Sequence, residues 1–104
     1  MSVVTVYAVF ANTDEAETVA RTMVEERLAA CANILPRCRS IYRWEEKIDT
    51  VEEVPALFKT TLAQSDALIA RIAALHSYDT PAIVMWPIPK ILADYGNWVE
   101  ESVG

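Results

Sequence analysis

The chain has 104 residues and a hydrophobic fraction of 53%, which is enough apolar material for a buried core and excludes a disordered chain. Nine basic against fifteen acidic residues give a net charge of −6, which argues against nonspecific binding to nucleic acid, since that depends on neutralising phosphates. The longest uncharged stretch, 1–13, is too short for a spanning helix of roughly 20 residues. We expect a single cytoplasmic domain over 1–104 that binds neither nucleic acid nor membrane.

The first predicted elements are a strand and a helix. Val3–Phe10 is rich in β-branched and aromatic residues, which is typical of a buried strand. Asn12, with Glu15 three residues later, predicts the start of a helix through the asparagine form of a capping box. Apolar residues then recur at three- and four-residue spacing as far as Leu28, so one face of this helix should pack on a sheet.

A pair of strands follows in the middle of the chain. Residues 31–44 predict a strand that is interrupted at Pro36, and 45–47 predict a turn from polarity alone, because no glycine is present. Residues 48–61 should return as the partner strand. Pro55 has no amide donor, so we expect it at a sheet edge, at a bulge or at the start of a strand.

The remaining segments predict a second helix, a last strand and a short terminal helix. Ser65 is the predicted cap of the second helix, whose apolar stripe runs to Leu75. A polar connection, 76–81, leads to an apolar strand over 82–88. Asp94 is the predicted cap of the short helix that follows.

This order of elements predicts an α+β protein with the ferredoxin-like βαββαβ topology, an antiparallel sheet and a short C-terminal helix. Two helices cover one face of such a sheet and leave the other face bare. The strands at 3–10 and 82–88 are apolar on both faces. Another subunit is the simplest cover for the second face, so we expect an oligomer.

Few residues of the chain are suited to catalysis. Its two glycines exclude a phosphate-binding loop and a dinucleotide fingerprint. His76, the one histidine, precedes Ser77 and lies near Asp79, but neighbours in an extended segment point to opposite faces and would not form a triad. The alternative is that His76 ends the second helix. We do not expect an enzyme.

Metal ligands are also scarce. Soft and borderline metals prefer cysteine and histidine, and the chain offers only Cys31, Cys38 and His76, without the spacing of a closed zinc site. We expect Cys31 to be a buried core thiol, whereas Cys38 lies between two arginines that favour a reactive thiolate. If the stretch between them is extended, the two thiols are too far apart for a disulfide. The acidic residues of 45–53 either hold hard cations loosely or form only a solvated tip.

Lys59 is the one lysine inside an apolar strand. It is either an edge residue that extends its charge into water, which the sequence alone favours, or an anion-binding group in a cleft. Only the second alternative gives Lys59 a function in ligand binding.

Six segments, in order over nearly the whole chain, form a recognisable combination. The longest is 26–36, with the sequence E-R-L-A-A-C-A-N-I-L-P. The others are 12–16, 40–48, 59–60, 76–81 and 95–98. Together they resemble the CutA divalent-cation tolerance family.

The resemblance implies a ferredoxin-like subunit in a tight homotrimer, similar in architecture to PII-type signalling proteins. It implies a non-enzymatic role in tolerance of copper and other divalent metals, with clefts between subunits as the usual candidate sites. His76 is the metal-ligand candidate. The cleft candidates at matched motif positions are Cys31, Trp44, Lys59, Tyr78 and Trp98.

The chain departs from the family pattern at several positions. Family members credited with copper ligation can carry a cysteine where this chain has Phe10 and a second histidine where it has Leu75. Only His76 remains of that set, so we expect copper or another divalent cation to bind weakly. The family usually has glycine at the position of Glu46 and an apolar strand residue at that of Pro55. The alternative function is a PII-like sensor of a small molecule or anion in the intersubunit cleft.

Overall fold

The computed structural model describes residues 2–104 as five strands and three helices. The strands are β1 (Val3–Phe10), β2 (Cys31–Ile34), β3 (Cys38–Trp44), β4 (Lys47–Thr61) and β5 (Ile83–Pro87). The helices are α1 (Thr13–Glu25), α2 (Leu62–Leu75) and α3 (Ala93–Ser102). Within the described residues, no helix has the length and apolar character needed to cross a membrane.

The strands pair antiparallel throughout. The main sheet has the order β2-β4-β1-β5, and β3 pairs with the first part of the long strand β4 to form a hairpin. The predicted second strand is therefore divided into β2 and β3 around Pro36. The α+β class, the ferredoxin-like topology and the short C-terminal helix are confirmed.

The core lies between one face of the sheet and the helices α1 and α2. Alternate side chains of β1 point to this face, where Val6, Ala8 and Phe10 are fully buried. The opposite wall consists of Ala16, Val19, Ala20 and Met23 of α1 and of Leu68 and Ile72 of α2. Complete burial of a large apolar side chain contributes about 1.5–3 kcal/mol, so this layer is a main source of the stability of the fold.

The second face of the sheet is only partly covered. The helix α3 packs over one end of it, where Val3, Ala30 and Val99 form a small second cluster. Beyond α3, Tyr7 stacks on Trp86 with ring centroids 5.1 Å apart, and Trp86 is still 48% exposed. The bare face predicted from sequence is present, although α3 covers part of it.

Two helix starts differ from the prediction. The helix α2 begins at Leu62, because the Thr61 hydroxyl at the end of β4 accepts the N–H of Gln64 at 3.3 Å and caps the helix. Ser65 lies inside α2 and donates its hydroxyl to the Leu62 carbonyl, so its prediction as the cap was wrong. Asp94 was also wrongly predicted as a cap: α3 begins one residue earlier, and Asp94 lies in its first turn, where its charge favours the helix dipole.

Pro55 lies inside β4, in the gap between the ladder with β2, which ends at Ala56, and the ladder with β3, which ends at Glu53. The interruption of strand pairing that its missing amide donor predicted is therefore present on this side. Its carbonyl accepts the N–H of Leu35 at 2.9 Å, so its ring nitrogen faces the same way, just past the end of β2. On the other side it is opposite Val9, whose N–H bonds away from β4, to the Ala82 carbonyl. The missing donor therefore removes no hydrogen bond from either ladder.

The hairpin of β3 and β4 closes with a two-residue turn of unusual composition. Glu45 and Glu46 both have positive φ, 50° and 67°, a combination that indicates a type I′ turn and normally selects Asn-Gly. Trp44 and Lys47 flank the turn as the last pair of the ladder. Because the left-handed conformation costs roughly 1–2 kcal/mol for a residue other than glycine, this turn is strained.

Replacing the second turn residue with glycine, Glu46→Gly, should stabilise the protein by about 1 kcal/mol, because glycine adopts positive φ without a steric penalty. Lys47→Gly is the matched control, since φ at Lys47 is not positive and glycine there should cost about 0.5–1 kcal/mol. Urea unfolding curves of the three proteins measure both changes. A less stable Glu46→Gly variant would contradict the strain assigned to the turn.

Candidate functional site

His76 is the C-cap of α2, as predicted, and its side chain is fully buried. The ring stacks on Phe10 of β1, with centroids 4.9 Å apart and planes inclined by 14°. Nε2 donates to the Val9 carbonyl at 2.7 Å, and Nδ1 accepts the N–H of Tyr78 at 3.1 Å. Both ring nitrogens therefore have backbone partners, and this arrangement requires the neutral imidazole with its proton on Nε2.

Glu15 connects the start of α1 to the segment after α2. Its carboxylate accepts the N–H of Ala11 at 3.1 Å, and the N–H and hydroxyl of Ser77 at 2.7 and 3.1 Å. Asn12 Oδ1 accepts the Glu15 N–H at 2.8 Å, as the capping box predicts, but the reciprocal bond goes to Ala11. Burial alone would raise the pKa of the Glu15 carboxyl, but the hydrogen bonds from Ser77 and Ala11 hold it below its usual value.

The segment 76–79 forms a structural connection and not a catalytic triad, because the Ser77 hydroxyl bonds Glu15 while His76 bonds the backbone. Nowhere in residues 2–104 do three or more His, Cys, Asp or Glu side chains form a group that could hold a metal. Glu15 Oε2 lies 3.9 Å from His76 Nδ1. His76 as a metal ligand stays a prediction, and ligation at either ring nitrogen requires one backbone bond to break.

Tyr78 connects the His76 segment to a buried carboxylate of β4. Its ring centroid lies 4.8 Å from that of His76, and its hydroxyl donates to Glu53 Oε2 at 2.8 Å. Burial and, to a smaller extent, the hydrogen bond to Glu53 raise the pKa of Tyr78 well above the usual range for tyrosine. Glu53 is only 8% exposed, so the interpretation of 45–53 as a wholly solvated tip was wrong for this residue.

Cys31 and Lys59 are opposite each other in the ladder of β2 and β4, on the second face, and Thr5 of β1 comes next across the sheet. Lys59 is half-buried in a strand with neighbours on both sides, so the edge position was wrong. Cys31 is also only half-buried, which corrects its prediction as a core thiol, and its sulfur lies 3.4 Å from the Tyr95 hydroxyl. Burial and, to a smaller extent, the nearby Cys31 thiol raise the pKa of Tyr95 to about 12.

The two tryptophan candidates lie in different places. Trp98 stacks on Tyr95, with ring centroids 5.8 Å apart, and therefore belongs with the group around Cys31 and Lys59. Trp44 is 56% exposed near the hairpin turn, in a run, 41–48, whose residues are all exposed. The structure thus forms one group around Tyr95 and another around Tyr78, and leaves Trp44 apart from both.

Arg27, whose role was not predicted, holds α3 over the second face. It follows α1 with φ of 61°, and the N–H of Leu28 bonds the Met23 carbonyl at 3.0 Å, as in a Schellman motif. The Arg27 guanidinium donates to the carbonyl oxygens of Glu101 and Gly104 at 3.1 and 3.0 Å. The E-R-L-A-A-C segment contained the residue, but spacing cannot identify partners so distant in the chain.

Glu15→Gln should lower the free energy of unfolding at neutral pH by about 1–3 kcal/mol, because several hydrogen bonds lose a charged acceptor. Since folding lowers the pKa of Glu15, its stabilisation is present above the usual carboxyl value of 4.5 and is lost as the pH falls through the folded-state value. The difference in stability between wild type and variant should therefore be smaller at an acidic pH below 4.5 than at neutral pH. Urea unfolding at both pH values measures this.

The control for this comparison is Glu17→Gln, at an exposed position of the same helix. It removes the same charge from α1 but changes none of the hydrogen bonds described for Glu15. We expect little change in stability at either pH. A Glu15→Gln deficit that persisted unchanged in acid would contradict the role of the charged carboxylate.

Comparison with known proteins identifies the family. The family model of the CutA1 divalent ion tolerance protein matches residues 4–102. The divalent-cation tolerance protein CutA of Thermus thermophilus is 44% identical over 89 residues, 86% of each chain, and that of Thermotoga maritima is 39% identical over 98 residues, 94% of this chain and 96% of the other. The crystal structure of CutA from Xylella fastidiosa matches over 100% of both chains with a TM-score of 0.97 and 34% identity. The chain therefore belongs to the CutA1 divalent ion tolerance family.

Proposed function

We propose that the protein acts in tolerance of divalent metal ions as a homotrimer and does not catalyse a reaction. Family membership supports the role in divalent-cation tolerance. The engagement of His76 and Ser77 in bonds that join β1, α1 and α2 supports a non-enzymatic role. The cytoplasm is the proposed location, because Cys31 and Cys38 are free thiols, which persist in reducing compartments.

The main support for the proposed trimer is the exposed apolar surface of the second face and of the hairpin. Val84 and Trp86 of β5 are 45% and 48% exposed. In the hairpin, Ile41 and Ile48 are 67% and 60% exposed. Extended apolar surface of this kind marks an interaction site. A second and a third copy of the chain would bury both regions, in agreement with the subunit arrangement that the family resemblance implies.

The metal interaction is proposed to be weak and to involve His76 with copper or another divalent cation. Copper(II) binds imidazole with high intrinsic affinity, and the Glu15 carboxylate lies 3.9 Å from Nδ1. Phe10 and Leu75 provide no donor atoms beside it. Because a metal at Nδ1 has to displace the Tyr78 N–H, the loss of that hydrogen bond reduces the affinity.

Lys59 favours a second candidate function, the sensing of a small molecule or anion in the cleft between subunits. It is half-buried on the second face next to Thr5. No ion pair formed within residues 2–104 includes it. A partly desolvated ammonium group without a carboxylate partner is suited to bind an anionic ligand. A thermal-shift screen of anions with wild type and Lys59→Ala tests this function, since only a ligand of the folded state raises the midpoint.

Light scattering at micromolar concentration should give about three times the chain mass of 11.6 kDa. Trp86→Lys should reduce this mass, because it places a charge in the apolar surface that the trimer buries. The matched control is Val24→Lys on α1, where the side chain is 39% exposed on the opposite side of the sheet, and this variant should remain trimeric. A monomeric wild type would contradict the trimer.

The role in tolerance is tested in a bacterium that lacks its own CutA protein and grows in inhibitory copper. Wild type and Val24→Lys should restore growth, whereas Trp86→Lys should not. Calorimetric titration with copper then compares wild type with His76→Ala. Equal affinities would remove His76 as a ligand, and a trimeric wild type that fails to restore growth would contradict the proposed function.

A further inference from the structure

We propose that Cys38 and Glu53 bind a soft or borderline divalent cation of the Zn²⁺ or Cd²⁺ type on the second face of the sheet. The site rests on the proposed function for its biological role, since it gives divalent-cation tolerance a second metal-binding position. It shares no ligand with His76. The argument for it starts from the burial and charge of Glu53 and continues through its neighbours.

Glu53 is a buried acidic residue without a positive partner. It is 8% exposed, and it takes part in no ion pair within residues 2–104. Among the same residues, the hydroxyl of Tyr78 is the one side-chain donor to its carboxylate, at Oε2. Buried acidic side chains are normally paired with a cation or with several donors. The carboxylate of Glu53 is therefore suited to receive a cation from outside the chain.

Cys38 lies next to this carboxylate. Cys38 and Glu53 are directly opposite in the ladder of β3 and β4, so both side chains leave the sheet on the same face with β-carbons about 4.5–5.5 Å apart. The thiol is half-buried, and the Ser40 hydroxyl lies 3.8 Å from its sulfur. Burial and, to a smaller extent, the nearby Cys38 and Glu53 side chains raise the pKa of Tyr7. A thiol, a carboxylate and the phenols of Tyr7 and Tyr78 therefore surround the same region.

The positive charge that follows Cys38 in sequence does not neutralise this region. Arg39 follows Cys38 in β3, and successive side chains of a strand point to opposite faces. Its own ladder partner is Glu52, and both are exposed. The ligands of the proposed site are the Cys38 thiolate, which forms when the metal binds, and the Glu53 carboxylate. A divalent ion neutralises both groups.

The donor atoms determine which metals fit. A thiolate selects soft or borderline ions, whereas Mg²⁺ and Ca²⁺ require oxygen ligands throughout. Zinc binds thiolate sulfur at about 2.3 Å and carboxylate oxygen at about 2.0–2.2 Å, a span that neighbouring side chains of a ladder can reach. On binding, the Cys38 thiol releases its proton to solvent and the sulfur forms the metal bond, so affinity should rise with pH.

Titration of the reduced trimer with Cd²⁺, followed by ultraviolet absorption, tests the site, because a thiolate bound to Cd²⁺ gives a charge-transfer band that the hydrated ion lacks. Wild type should show a saturable band at one Cd²⁺ per chain, and Zn²⁺ should displace it. Cys38→Ser should abolish the band. The matched control is Cys31→Ser, which should retain it. Glu53→Gln, which keeps an acceptor for Tyr78, should weaken the affinity by about tenfold or more.

Absence of a saturable band in wild type would overturn the proposal, as would a band that Cys38→Ser retains or that Cys31→Ser abolishes. Circular dichroism and light scattering verify the fold and mass of each variant. The midpoint of thermal unfolding of wild type should also rise with Cd²⁺, a readout independent of any substitution. A trimer that restores growth in copper but gives no band would refute this site and leave the proposed function intact.

Discussion

The ladder between β1 and β4 is the contact on which the rest of the structure depends. It pairs all eight residues of β1, from Val3 opposite Thr61 to Phe10 opposite Val54. The register that buries Val6 against the helices also places Lys59 on the second face, because alternate residues of a strand point to opposite sides. A shift of this pairing by one residue would turn the core side chains of the strand to the second face and those of the second face into the core. The core and the candidate sites are therefore specified by the same pairing.

His76 connects these two sides of the molecule. Its ring is part of the helical side, where it stacks on Phe10, while its bond to the Tyr78 N–H fixes the segment that reaches Glu53. The Phe10 side chain that stacks on this ring provides no donor atom for a metal. In this chain, His76 orders the environment of Glu53 even without a metal of its own.

Local patterns predicted the elements and their order, because strand alternation, helical spacing and the Asn12 cap depend only on nearby residues. Two errors, the Ser65 and Asp94 caps, misplace a helix start by a few residues. The other errors concern positions whose environment is set by distant segments. Lys59, for example, is internal because β2 covers that edge of β4. Glu53 follows acidic, exposed neighbours in sequence, but it is buried on the second face, where the distant Tyr78 bonds its carboxylate. Motif resemblance identified the family, whereas grouping of the site residues required the three-dimensional contacts.

The contact of Arg27 with α3 has a consequence for sequence divergence. The guanidinium binds the main-chain oxygens of Glu101 and Gly104. The bond at position 101 therefore does not depend on the side chain there, whereas position 104, with φ of 100°, favours glycine. The outer surface of the last helix can therefore drift during evolution while its placement over Cys31 is preserved. The constraint falls on Arg27 itself, because a lysine has a single ammonium group in place of the fork that reaches two carbonyls.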